Sequence, residues 1–346
     1  MSILATIGGM APDQARLRQR IDVLTRQVST GQVGPLHGDL GPQARRAIDL
    51  RGDIARREAQ IGAADAALGR MGAAQDVLGR IEALITDAAA EALRARTLGG
   101  VAVEPLARAA RAALEEAAAL MNTRQGGDHL FAGSNLARAP VPDAATIATG
   151  PMATAIATAV ATLGPANAAA VLADTATAAT AAATTPFDAW LETDGVAEPR
   201  RALQVADGER VAWGVLPNQD QDGDVALAWG RETLRGLATL AALTPASVAQ
   251  GAGYDTLLRE VSAALTGAAR GLAQERAVLG MAERRVEATR ERHEDLLVAI
   301  RAQLGTAEEV DVAEATTALR QAEMRLTASY EATAMVARLS LAALLR

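Results

Sequence analysis

The sequence predicts a mainly α protein, a long antiparallel, coiled-coil-like helical rod built from both chain ends, with an inserted α+β domain. Three observations predict it. Apolar residues alternate at spacings of three and four over two long stretches, 42–98 and 255–305, which is the heptad signature of packed helices. The chain also opens and closes on amphipathic runs, and five of its seven aromatic residues fall between 187 and 254. A compact core that is not rod-like can form there.

Taken in order, Pro12 fits a first helical turn because it lacks an N–H. Leu17, Ile21, Leu24 and Val28 follow on one face, and Gly31 ends the run. Gly34, Pro35, Gly38 and Gly41 punctuate a linker. From Pro42 to Leu98 the seam is Met71, Ala74, Leu78, Ile81, Ile85, Ala88 and Ala92, giving a helix of roughly 85 Å at the standard rise per residue. Gly99 and Gly100 end it. Pro105 opens a shorter helix with Leu106, Ala110, Ala113, Ala117 and Leu120 on one face, which stops at Gly126 and Gly127.

The segment 140–186 is dominated by alanine and threonine. Met152, Ile156, Val160 and Leu163 suggest a short helix, the alanine run 168–183 suggests another, and a disordered low-complexity linker competes with both. Residues 202–205 and 210–215, separated by Asp207 and Gly208, read as a β-hairpin, and Asp222-Gly223 as a second turn. The second long helix carries Leu258, Val261, Leu265, Ala268, Leu272, Leu279, Ala282, Val286, Leu296 and Ile300 up to Gly305.

Thr306-Ala307-Glu308-Glu309 has the form of a capping box, so the last helix is expected to start there. Val312, Ala315, Leu319, Ala322 and Leu326 make one sticky side, and no glycine or proline interrupts it before the terminus. The last turns, with Met335, Val336, Leu339, Leu341, Leu344 and Leu345, are apolar on more sides than one neighbour covers. The expected domains are 1–40 with 306–346, the terminal helical part; 41–135 with 251–305, the rod; and 136–250, the insertion.

Composition excludes several classes. Half of the 346 residues are hydrophobic, but much of that is alanine and 2% are aromatic, so the rod packs through small residues. A net charge of −7, with arginines scattered among carboxylates, argues against a nucleic-acid surface. There is no cysteine for a disulfide or a thiolate metal site. Residues 1–10 lack a basic flank and a small-residue cleavage site, and no eighteen-residue apolar run occurs, so neither a cleaved signal peptide nor a membrane partner is expected.

Catalytic signals are sparse. His37, His129 and His293 are far apart, and no metalloprotease helix, phosphate-binding loop or nucleophile elbow occurs. His293 falls on the heptad face as a packing residue. Asn218-Gln219-Asp220-Gln221-Asp222-Gly223 resembles the opening of a calcium loop, but Trp229 stands where the bidentate glutamate belongs. Arg51-Gly52-Asp53 lies inside a predicted helix, where it is not an adhesion loop. No catalytic, cofactor-binding or metal residue is assigned, and no cofactor is expected.

Four segments carry a resemblance to a known family. They are Ser29-Thr30-Gly31-Gln32; Asn122 followed by Gly127-Asp128-His129-Leu130-Phe131-Ala132-Gly133-Ser134; Arg276-Ala277-Val278-Leu279-Gly280 with Arg285; and Asp311 to Leu345. In this order and at the two chain ends they resemble the flagellin superfamily, and within it the hook–filament junction branch, hook-associated protein 3. The similarity covers roughly 1–135 and 255–346 and leaves the insertion uncovered. His129 stands where the branch usually has tyrosine, and Gly38-Asp39-Leu40-Gly41-Pro42 where it commonly has an Asp-Asp-Pro box.

The resemblance implies a structural, non-enzymatic subunit of an extracellular flagellar tube, exported unfolded through a type III channel. Its implied partners are other copies of itself, an adjacent hook-associated protein, flagellin, and a chaperone on the C-terminal helix. The assembly residues expected are Leu17, Ile21, Leu24, Val28, Leu319, Leu326, Val336, Leu339, Leu341, Leu344 and Leu345. Filament flagellin is the alternative within the family, and an unrelated helical sensor or adhesin the alternative outside it.

Overall fold

The structure, a computed structural model, describes residues 3–34, 37–206, 208–220, 223–225 and 228–344, with the side chains of 3–11, 37–39, 336, 337 and 339–344 left out. In chain order the helices are α1 (Ile3–Thr30), α2 (Ala44–Leu98), α3 (Gly100–Met121), α4 (Pro151–Ala161), α5 (Ala168–Thr180), α6 (Ala189–Glu192), α7 (Asp194–Ala197), α8 (Trp229–Ala241), α9 (Pro245–Val248), α10 (Ala252–Glu308) and α11 (Val312–Leu344). The strands are β1 (Arg124–Gln125), β2 (Asp128–His129), β3 (Ala202–Ala206) and β4 (Glu209–Ala212), forming two antiparallel hairpins. The fold is therefore mainly α with a small strand-containing middle region. It divides into two compact units, 1–61 with 292–346, and 62–291.

In the larger unit α2 and α10 run antiparallel along their heptad seams. Met71, Ala74, Leu78, Ile81, Ile85 and Ala92 are buried, as are Leu258, Val261, Leu265, Ala268, Leu272, Leu279, Ala282 and Val286. The register is fixed by polar contacts across the seam. Ser262 Oγ donates to the Ala89 carbonyl (3.0 Å), Gln75 Nε2 to the Arg276 carbonyl (2.9 Å), and Arg290 pairs with Asp65 (3.1 Å). Arg276 pairs with Glu82 and donates through Nε to Gln75 Oε1 (3.2 Å). Its guanidinium carbon lies 3.7 Å from where a Cβ on Gly79 of α2 would stand, an ordinary contact distance.

Several helix ends differ from the sequence expectation. Helix α1 starts at Ile3, so Pro12 lies inside it; the proline removes one i→i−4 bond, and the helix continues past it. Helix α3 starts at Gly100, directly after Gly99 turns at φ 63°, and Pro105 lies within it. At its other end α3 stops at Met121 rather than at the glycines, which instead form a tight hairpin turn, with Gly126 at φ 61° and Gly127 at φ 93° between β1 and β2. Two successive positive φ values are what a two-residue hairpin connection requires. Leu296 is 45% exposed and Leu297 takes the seam position. From buried His293 the next inward step is four residues, to Leu297, then three, to half-buried Ile300.

The alanine-threonine segment is ordered, contrary to a disordered linker. Pro151 begins α4, whose buried face is Met152, Ala153, Ile156, Ala159 and Val160, and Ala168 begins α5, which buries Val171, Thr175, Ala178 and Ala179. Residues 144–161 have mean hydropathy 1.4, apolar enough for a membrane-span candidate. They fold, however, as a 3-10 turn (Ala144–Thr146) followed by α4, and α4 is 11 residues long, too short to cross a hydrocarbon layer of about 30 Å. Its apolar face packs on α5 and α8.

Helix α8 is not among the elements expected from the sequence, and it is buried along almost its whole length despite Arg231, Glu232 and Arg235. Arg231 Nη2 donates to both carboxylate oxygens of Glu192 (2.8 and 2.9 Å), its other nitrogens donate to the Ala179 and Val225 carbonyls, and the guanidinium lies over the Phe187 ring at 5.3 Å. Arg235 pairs with Glu232 and donates to Thr175 Oγ1 (3.2 Å). Charges this deep persist because their hydrogen-bonding capacity is met inside. Helix α8 packs on α3, and the side chains of α2, α3, α4, α5, α8 and α10 share one apolar core.

The predicted hairpin is β3–β4, with Ala202 opposite Ala212 and an irregularity between Gln204 and Ala206. Asp207 and Asp222 of the two turn signals lie outside the described residues. In the loop that resembles a calcium site, Arg200 donates to the Asp220 and Gln219 carbonyls, and it forms a bidentate pair with Glu275 (2.8 and 3.0 Å). The guanidinium thus supplies the positive charge these carbonyls face.

Candidate assembly interface

The smaller unit holds the two terminal helices. Helix α1 ends by a left-handed glycine, Gly31 at φ 70°, whose N–H donates to the Gln27 carbonyl (2.8 Å). Beyond it the two chain arms pair. Gln32 and Glu309 form an antiparallel bridge, the Val33 N–H donates to the Glu308 carbonyl (2.8 Å), and the Val310 N–H donates to the Gly31 carbonyl (2.9 Å). Gln27 Nε2 adds a bond to the Val33 carbonyl (2.8 Å).

The expected capping box at Thr306 is not the start of the last helix. Thr306 lies inside α10, where its hydroxyl donates back to the Ala302 carbonyl (3.0 Å). The chain breaks at 309–311, and Asp311 caps α11, its Oδ1 accepting from the Ala313 and Glu314 N–H groups (2.8 and 3.1 Å). The tie to residues 31–33 uses the backbone of 308–310, so the break falls there rather than at Gly305.

From this tie α1 and α11 run antiparallel against each other. Leu24 is buried at 8% exposure, with Ala315 and Ala322 buried on α11. Leu17, Ile21, Val28, Leu319 and Leu326 are half-buried, so the structure brings together the sequence-predicted residues of both helices whose side chains are described. The side chains of Val336, Leu339, Leu341 and Leu344 are outside the described set, and Leu345 is outside the described residues altogether.

Sequence reading missed the polar half of the contact. Gln14 Nε2 donates to Ser329 Oγ (3.2 Å) and Thr333 Oγ1 (3.0 Å). Arg18 Nε donates to the Tyr330 hydroxyl (2.7 Å), with its guanidinium over the Tyr330 ring at 5.5 Å. The available signal was that Gln14 occupies the same heptad face as Leu17, Ile21, Leu24 and Val28. In the same unit α2 and α10 are joined by Arg51 with Glu308 (2.9 Å), Arg301 with Glu58 (2.7 Å) and Arg57 with His293 (3.0 Å). His293 is 4% exposed, and its Nδ1 accepts from Arg57. It packs and bonds, as its seam position implies.

A two-helix contact leaves much of each helix uncovered. Val23, Val312, Met324 and Met335 are 44%, 45%, 65% and 60% exposed. Such a surface is suited to further helices, since one partner covers one stripe of each.

Two motif segments of the larger unit have clear structural roles. Asn122 brackets Val141, its Nδ2 donating to the Val141 carbonyl (2.7 Å) and its Oδ1 accepting from the Val141 N–H (2.9 Å). His129 Nε2 accepts from Arg124 Nε (2.9 Å), so its Nδ1 donates to the Asn122 carbonyl (2.9 Å), which fixes a neutral ring. Burial holds the His129 pKa below its ordinary value, Arg124 lowers it further, and the bond to Asn122 opposes both. Phe131 is fully buried edge-on to Trp229, with ring centroids 6.4 Å apart. Gly133 turns at φ 61° against Leu216 and Trp190. Arg285 of the other motif pairs with Glu209 (2.8 Å).

Among the described residues no group of three or more His, Asp and Glu side chains is arranged to hold a metal ion. A search of curated proteins finds no match to the chain. Residues 263–345, which comprise most of α10 and α11, match the family model described as the bacterial flagellin C-terminal helical region.

Proposed function

We propose that the protein is a structural subunit of the bacterial flagellum that joins hook to filament and self-assembles through its terminal helices. The match of residues 263–345 to the flagellin C-terminal helical region indicates a flagellar structural subunit and supports contacts between copies. The observation that carries the assembly reading is the α1–α11 pair, in which Leu17, Ile21, Val28, Leu319 and Leu326 remain half-buried and Val312, Met324 and Met335 exposed. Apolar surface left over by an intramolecular pair is stabilised when neighbouring subunits cover it.

The junction position, rather than the filament, rests on the Leu130-Phe131-Ala132-Gly133 segment after Asn122. Under this reading the subunit is extracellular, reaches its place by type III export, and contacts an adjacent hook-associated protein and flagellin, while a chaperone shields α11 before export. The three-part organisation, with 1–40 and 306–346 forming the tube and 136–250 facing outward, belongs to the same proposal. Filament flagellin is the second reading, because the matching model is that of flagellin itself. Electron microscopy of a deletion strain tests the choice. Hooks that still secrete flagellin but carry no filament support the junction; normal filaments on normal hooks refute both readings; and loss of flagellin itself from the cell surface and the medium supports the filament.

A further inference from the structure

The methionines whose side chains are described are either buried or exposed. Met71 and Met121 are fully buried and Met152 is 2% exposed, whereas Met281 on α10 is 56% exposed and Met324 and Met335, both on α11, are 65% and 60% exposed. Met324 and Met335 are eleven residues apart, which is close to three helical turns and puts them on one face of the helix. That face is turned away from α1, because Ala315, Ala322, Leu326, Ser329 and Thr333 make the opposite one. Between 317 and 338 it carries, apart from these two, Thr317, Arg320, Ala328, Glu331 and Arg338, so the thioethers are its principal apolar groups along that length.

We propose that Met324 and Met335 form an oxidation site through which peroxides control docking of this face of α11 against a second copy of the chain. The docking half rests on the assembly reading above and on the position of both residues within the matched region 263–345. In the step itself the thioether sulfur attacks the peroxide O–O bond. One oxygen stays on sulfur as the sulfoxide, the other leaves as water, and the sulfur is oxidised by two electrons while the peroxide is reduced. The product is a polar, chiral group in place of a flexible apolar one, and a thiol-dependent sulfoxide reductase reverses it. Two sulfoxides on one face remove its apolar character without touching the α1 contact.

The test uses the purified full chain, hydrogen peroxide, peptide mass spectrometry for site occupancy, and sedimentation for assembly. Met324 and Met335 are expected to convert about tenfold faster than Met71, Met121 and Met152. Met281, 56% exposed on α10, is the internal comparison. Treated wild type is expected to lose most of its sedimenting material, while Met324→Leu/Met335→Leu, which keeps Met281, retains it within about twofold because leucine is volume-conserving and not oxidised. Met324→Gln/Met335→Gln should fail to sediment without peroxide while keeping its helical circular dichroism. Equal conversion rates in α11 and the core overturn the site, and a double-leucine variant that loses assembly as wild type does overturns the control. If untreated wild type never sediments, the assembly reading has failed, and the conversion rates still judge the site.

Discussion

Gly253 and Gly164 touch backbone to backbone: a Cβ on Gly253 would stand 2.0 Å from the Gly164 carbonyl oxygen. The contact joins the start of α10 to the turn between α4 and α5, and backbone on one side leaves no flexible group to yield. Gly253→Ala is therefore expected to destabilise the larger unit by about 1–3 kcal/mol through forced backbone movement. Gly79→Ala in α2 meets its nearest neighbour, Arg276, at an ordinary 3.7 Å and should stabilise by about 0.5–1 kcal/mol, the usual helix-interior gain. Urea unfolding of the two variants checks the opposite signs.

Arg200 and Glu275 give a second prediction. Glu275 is 1% exposed, and Arg200 supplies its bidentate partner while holding the 219–220 carbonyls. Arg200→Ala takes the bidentate guanidinium away from a buried carboxylate, a change that costs about 3–5 kcal/mol. A double variant with Glu275→Gln should recover part of the loss, because the remaining group is then neutral. Equal stability of the single and double variants in urea melts would count against the pair as the source.

The His129 ring gives a pH dependence with a defined sign. Its pKa in the folded chain lies below the ordinary 6.5, so between those two values the unfolded chain binds more protons. Stability then rises with pH across that window. The contribution is fully present above about pH 6.5 and is lost as pH falls through the folded value. His129→Gln should flatten this part of the stability profile, and an NMR titration of the imidazole that returned a value above 6.5 would falsify the assignment.

On the terminal helices, Leu326→Asp places a carboxylate at a half-buried position of the α1–α11 contact. Loss of part of one apolar side chain costs the isolated chain about 1–2 kcal/mol, and it should melt within a few degrees of wild type because the larger unit is untouched. In the assembly reading the same carboxylate is covered by neighbours, so polymer formation is expected to fall far more than monomer stability. A variant that sediments like wild type would place the neighbouring copies elsewhere. Leu341→Asp and Leu344→Asp probe the same helix nearer its end.

Heptad spacing by itself determined the mainly α class, the two long helices and the pairing faces of the terminal helices, because a period near 3.5 is a local property written in side-chain polarity. Turn residues between two short runs marked the β3–β4 hairpin, and the order of the motif segments that resemble the flagellin superfamily is likewise written in the sequence. Other features were decided by the tertiary structure. Helix α8 carries arginines and a glutamate that local reasoning assigns to a surface, and they are buried because Glu192, Thr175 and the Ala179 carbonyl, distant in sequence, meet them. The start of α11 moved from Thr306 to Asp311, because residues 308–310 give their backbone bonds to 31–33. Capping chemistry is local and permitted either start, but the bridge between Gln32 and Glu309 joins opposite chain ends, and no window of sequence contains both.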